Sequence, residues 1–257
     1  MDKFFTHVIR TLTERVEKIQ AILLHGSQNS PQVVDMWSDH DIWIVLNPSA
    51  YINEPQLVQA VTNIGVVLGS ELHKKDEQLL YRTAVLWESS IRLLDITLSH
   101  KEPTSDPLDR QTIVFGHLEP PSVTPRSPIT NTTFDPDETR ISPTWFKYIV
   151  AINKFCRNDN LIGMHLLLDL IREYLVLEMV ERDHRKKTNI HRHGDHEFLP
   201  EQIRLSRIKE STTQVLDYIA DLAYAYDKKL ASMDEDYFSR FPWILEYIKR
   251  SRAHVLR

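Results

Sequence analysis

Leu23-Leu-His-Gly26-Ser27, an eleven-residue loop, and then Asp39-His-Asp41-Ile-Trp-Ile44 form the stretch that decides how this chain reads. Ala21-Ile-Leu-Leu-His25 is a short apolar run stopped by Gly26-Ser27, and Asp41-Ile-Trp-Ile-Val-Leu46 is a second. Runs of that length bounded by turn residues read as buried strands. Gly26 ends the first strand where backbone can approach a ligand without a Cβ. Ser27 adds a hydroxyl beside backbone N–H groups, a composition suited to holding phosphate oxygens. Asp39 and Asp41 lie two apart at the start of a strand, so their side chains share one face and reach toward one place.

Working outward, Phe4, Phe5, Val8, Ile9, Leu12, Val16 and Ile19 recur at three- and four-residue spacing, which predicts an opening helix that covers a sheet. The pattern from Pro55 to Leu72 is read as helical. Arg82–Glu88 and Ile91–Leu98, on either side of Ser89-Ser90, are read as an antiparallel hairpin. The second of these runs contains Asp95, in Leu93-Leu-Asp95-Ile-Thr-Leu98. A carboxylate in so apolar a strand is costly to bury unless a cation or hydrogen bonds compensate it.

Eight of the 13 prolines fall between Pro103 and Pro143. Proline lacks the backbone donor and fixes φ, so 103–142 is expected to be a linker or strap, neither a long helix nor a central strand. Beyond it the pattern is almost wholly helical, with helices expected near 143–157, 160–183, 201–230 and 235–252, and a break or restart at Phe241-Pro242. The expected architecture is α+β: a mixed sheet with helices in a first domain, 1–140, and a helical bundle in a second, 141–257.

Composition narrows the partners. The net charge of -5 lacks the basic surplus that a general nucleic-acid binder needs. Residues 1–140 hold 12 Lys and Arg against 19 Asp and Glu, whereas 141–257 hold 19 against 17, which places a carboxylate-built metal site in the first half. The single Cys156 excludes an internal disulfide, and neither a secretory leader nor a membrane span is evident, so a cytoplasmic protein without membrane partners is expected.

Asp39, Asp41 and Asp95 together have the chemistry of a magnesium site. Hard oxygen donors suit that cation, which is commonly shared with substrate phosphates during an in-line displacement. His25-Gly-Ser-Gln-Asn-Ser-Pro31, three residues, and Asp35-Met-Trp-Ser-Asp39-His-Asp41-Ile42 resemble the aminoglycoside 6-adenylyltransferase (streptomycin adenylyltransferase-like) family of the DNA polymerase β-like nucleotidyltransferases. The resemblance implies Gly26 and Ser27 at a triphosphate, Asp39 and Asp41 at metal, and Asp95 as the third strand carboxylate. It also implies ATP as AMP donor, Mg2+, and a small acceptor such as streptomycin, in a monomer or homodimer.

A base must take the acceptor hydroxyl's proton. Asp95 is one candidate; Asp169 and Glu173, four apart on one helix face, are others, with an ion pair to Arg172 the competing reading. Lys154 is a candidate for the triphosphate charge, with a solvated helix lysine the commoner case. Trp43 and Trp87 could stack a base or acceptor, although core packing is the usual role at strand spacing. His191-Arg-His193-Gly-Asp195-His196 carries chelating residue types without a regular metal-binding spacing. Alternative functions are transfer to another small molecule or to a protein hydroxyl, and a catalytically silent antitoxin-like binding module.

Overall fold

A computed structural model describes residues 3–25, 35–75, 77–102, 111–118, 138–187, 203 and 211–256. In the first half the elements are α1 (Lys3–Arg15), β1 (Ile19–His25), β2 (Asp39–Leu46), α2 (Glu54–Thr62), β3 (Val66–Lys75), β4 (Gln78–Trp87), β5 (Ser90–Ser99) and β6 (Thr112–Gly116). In the second half they are α3 (Glu138–Cys156), α4 (Asn160–Lys186), α5 (Thr212–Met233) and α6 (Phe241–Val255). The fold is α+β. Contacts divide the chain into two compact units, Met1–Pro143 and Thr144–Arg257.

The first unit is built on a six-stranded mixed sheet with strand order β3-β4-β5-β2-β1-β6. β2 and β5 run parallel and every other pairing is antiparallel. The apolar spacing seen in the sequence becomes the packing face of α1, where Phe4, Phe5, Val8, Ile9 and Leu12 are buried. With α2 they cover one sheet face, against Ile22, Ile42, Ile44, Tyr81, Leu94 and Ile96. His40 faces that core, its ring 5.3 Å from that of Phe4. Strand alternation therefore sends its neighbours Asp39 and Asp41 to the opposite face.

The expected helix over 55–72 is half right. α2 starts at Glu54, with Asn53 Oδ1 accepting from the Gln56 N–H at 3.1 Å and Pro55 in the first turn, but it ends at Thr62. Val66–Lys75 is a strand paired along its length with β4. Gly65 stands at the changeover, where a Cβ would lie 2.5 Å from the Leu86 carbonyl oxygen, so only glycine lets the two segments close. The β4–β5 hairpin was legible, although both its strands start earlier than expected. Glu88 and Ser89 form the turn with φ of 45° and 66°, the left-handed pair of a type I′ hairpin.

Within the proline-rich segment, the described residues 111–118 contain β6, which lies at the sheet edge beside β1. That position agrees with excluding a central strand. Pro143 sits inside α3, whose start precedes the expected 143.

In the second unit, Trp145, Tyr148, Ile152, Leu167, Leu170, Leu216, Ile219, Leu222 and Ile244 are buried. α5 begins at Thr212, where Ser211 Oγ accepts from the Gln214 N–H, later than the expected 201; most of 201–210 lies outside the described residues. α6 begins at Phe241, with Pro242 in its first turn, and the expected start at 235 is corrected. Residues 234–240 form a turn and loop gathered by Asp227, whose carboxylate accepts from Tyr237, Ser239 and the N–H groups of Arg240 and Phe241. Among the described residues no helix is long and apolar enough to cross a membrane.

Candidate active site

The parallel pairing of β2 with β5 sets Asp41 directly opposite Asp95 and Asp39 opposite Leu93. Ligand atoms of Asp39, Asp41 and Asp95 all lie within 4.8 Å of one another, and each residue is partly buried. Asp35 prepares the approach to β2. Its Oδ1 accepts from the Trp37 N–H and the Ser38 hydroxyl, both at 3.0 Å, an Asx-type turn that leads the chain into Asp39.

Arg82 reaches the cluster from β4. Its Nε donates to Asp95 Oδ2 at 2.9 Å, and its Nη1 lies 3.7 Å from Glu71 Oε2 on β3. Burial raises the Asp95 pKa above its ordinary value. Arg82 opposes that rise, while the negative charges of Asp39 and Glu71 add to it. Two full charges 4 Å apart repel by about 4 kcal/mol at an effective dielectric of about 20, a repulsion that Arg82 offsets in part and that a metal ion held by the three carboxylates would offset further. The donor set fits a hard divalent ion: all oxygen, two residues from one strand and one from its neighbour.

Gly26 and Ser27 lie outside the described residues, as do His191, His193, Asp195 and His196. The β1 strand that leads to Gly26 ends at His25, the antiparallel partner of Asp41. The Trp43 ring lies 5.7 Å from that of His25, tilted by 45°, and donates from Nε1 to the Lys101 carbonyl at 3.0 Å, while Trp87 packs on Phe4.

The family model described as streptomycin adenylyltransferase matches residues 2–187. The chain belongs to the streptomycin adenylyltransferase family. It is thus a nucleotidyltransferase of the adenylyltransferase kind, and its matched region includes the entire sheet. No curated protein sequence matches the chain.

In the helical unit of this adenylyltransferase, Asp169 shares its carboxylate between Lys147 Nζ and Arg172 Nη1, both at 3.3 Å. Arg172 also bonds Glu173 at 3.1 Å. Lys154 pairs with Asp159 at 3.3 Å. Asp169 and Glu173 thus have the Arg172 ion pair that the competing reading foresaw, whereas Lys154, read as solvated, is paired with Asp159. Arg82 and Glu71 were missed from sequence. Arg82 had a signal, as a lone cation in the apolar strand around Tyr81 and Ala84; Glu71 was hidden inside the stretch read as helix.

Proposed function

We propose that this adenylyltransferase transfers AMP from ATP to a hydroxyl of an aminoglycoside such as streptomycin, using Mg2+ held by Asp39, Asp41 and Asp95. The convergence of these three carboxylates within 4.8 Å carries the proposal. Mg2+ bound there would orient the triphosphate and offset its charge. In the transfer, the acceptor oxygen bonds to the α-phosphorus while the bond from that phosphorus to the bridging oxygen breaks. Pyrophosphate leaves and the hydroxyl proton passes to a carboxylate.

Of the three carboxylates proposed for that proton, Asp95 is favoured over Asp169 and Glu173. Asp95 lies in the carboxylate cluster itself, where the reacting phosphate is proposed, and burial raises its proton affinity against the opposing Arg82, whereas Asp169 and Glu173 belong to the other unit. Gly26 and Ser27 are proposed at the triphosphate because they follow directly on β1, the strand beside β2. Lys154 is proposed as a further counter-charge, and the helical unit as the acceptor-binding domain of a cytoplasmic monomer or homodimer.

The test is an aminoglycoside and lincosamide panel with labelled ATP and Mg2+, following pyrophosphate release and label on the acceptor. Labelling of streptomycin or a relative that requires Mg2+ and is lost in Asp41→Asn supports the proposal. Nucleotide binding without labelling of any aminoglycoside overturns the acceptor assignment.

A further inference from the structure

One face of the sheet carries a single row of polar side chains across five neighbouring strands. Pairing sets Glu71 opposite Arg82, Arg82 opposite Asp95, Asp95 opposite Asp41, and Asp41 opposite His25. Adjacent strands lie about 4.8 Å apart, so each member of such a row reaches the next. Arg82 is the only member of the row with a fixed positive charge. It bonds Asp95 through Nε at 2.9 Å and approaches Glu71 at 3.7 Å.

A cation so close to a three-carboxylate cluster works against divalent-ion binding on charge alone. Its geometry works the other way. The terminal torsion of an aspartate is broad and roughly two-fold, so an untethered carboxylate samples many orientations. A guanidinium is planar and rigid, and one directed N–H bond to Oδ2 fixes the plane of the Asp95 carboxylate. Glu71 restores part of the negative charge that Arg82 removes and holds the guanidinium from its far side. Its side chain is only 16% exposed, as is that of Asp95, so solvent screens the row weakly.

We propose that Arg82 is a positioning residue that fixes the Asp95 carboxylate for divalent-cation binding, with Glu71 as its buttress; this rests on Asp39, Asp41 and Asp95 forming the cation site. Positioning and charge make opposite predictions. If Arg82 orients a ligand, its loss weakens cation binding. If it acts only as a charge, its removal tightens binding.

The experiment titrates the full chain with Mn2+ in the absence of nucleotide, read by electron spin resonance of the free ion. Arg82→Met removes the charge and keeps an unbranched stem; Arg82→Lys keeps the charge and loses the planar fork. Losing a group that orients a metal ligand typically costs on the order of 10-fold in metal affinity or more, and both variants are expected to weaken Mn2+ binding on that scale. Unchanged or tighter binding in either folded variant, as judged by thermal melting, overturns the proposal. Should Arg82→Met fail to fold, Arg82→Lys decides. Asp41→Asn separates the two levels of argument. If it abolishes Mn2+ binding while the Arg82 variants bind normally, the cation site stands and the role of Arg82 falls; if it leaves binding intact, both fall.

Discussion

Asp41 and Asp95 stand directly opposite each other on the parallel strands β2 and β5, in the centre of the sheet. No local feature joins them. The chain leaves β2, forms α2 and the β3–β4 hairpin, and returns to lay β5 alongside β2. The long return allows the two strands to be parallel, and parallel register brings carboxylates from two sequence-distant strands to one level. Asp39 joins them because alternation along β2 repeats every second residue.

Asp39→Asn and Asp41→Asn each remove a charge at nearly constant volume. Transfer is expected to fall by at least on the order of 100-fold, the scale of losing one fixed electrostatic stabiliser in an active site. Melting temperature in metal-free buffer should stay level or rise, since each substitution relieves repulsion within the cluster. Pyrophosphate release and thermal melting measured on the same preparations check both halves. Activity near that of the native chain in both variants would sink the site.

Asp169→Asn tests the helical carboxylate. The side chain is partly exposed and shared by Lys147 and Arg172, and such pairs contribute about 1 kcal/mol or less. The expected outcome is a small loss of stability and a transfer rate within about threefold of native, below the 10²- to 10⁴-fold scale of a general base. Steady-state kinetics across pH decide: loss of the acid limb, where protonation of the base switches transfer off, in Asp95→Asn, with its retention in Asp169→Asn, places proton transfer at the strand carboxylate. The reverse pattern would move it to α4.

The strands that frame the site were legible because each is short, apolar and bounded by turn residues, as at Gly26-Ser27 and Ser89-Ser90. Asp39, Asp41 and Asp95 stood out as charges placed at strand period beside or within apolar runs. β3 was not legible: Val66, Val67 and Leu68 continue the apolar pattern of α2, and pairing with β4, a long-range effect, turns them into a strand. Arg82 and Glu71 escaped for the same reason. Their meaning lies in cross-strand register, which intrachain spacing does not encode. The late start of α6 depends on Asp227, a residue in the preceding helix.

Cys156 should be a slow thiol. It is 8% exposed at the end of α3, and burial pushes its pKa from the ordinary 9.0 up to about 11 against an opposing hydrogen bond with Ser251. The thiolate fraction at pH 8 then falls about 100-fold, and iodoacetamide should label the folded chain at least that much more slowly than the chain in urea. The folded value lies above the unfolded one, so the native state retains a proton that the unfolded state releases. This contribution to stability is complete below pH 9 and is lost as pH rises toward 11. Between pH 9 and 11 the melting temperature of the native chain should fall more steeply than that of Cys156→Ala, since the tyrosines that also titrate there are common to both. Parallel slopes would contradict the assignment.

Asp227 is expected to be the residue whose loss most weakens the helical unit. It is buried in α5 and receives four hydrogen bonds. Tyr237 Oη donates at 2.9 Å, Ser239 Oγ at 2.7 Å, and the N–H groups of Arg240 and Phe241 at 3.1 and 3.3 Å. The last two are backbone donors at the start of α6, so the carboxylate caps that helix from another one and complements its dipole. Tyr237 in turn accepts from Trp145 Nε1 at 3.1 Å, linking α3 to the same point. Hydrogen bonds to a charged group are worth about 1.5–3 kcal/mol each, and orphaned buried donors add their own desolvation cost. Asp227→Ala is therefore expected to lose at least about 3 kcal/mol in urea unfolding. Asp227→Asn should lose less, because one oxygen still accepts. Mn2+ binding should persist below the unfolding transition in both, since Asp39, Asp41 and Asp95 belong to the other unit. A native urea midpoint in Asp227→Ala would show that this loop is held by something other than the carboxylate.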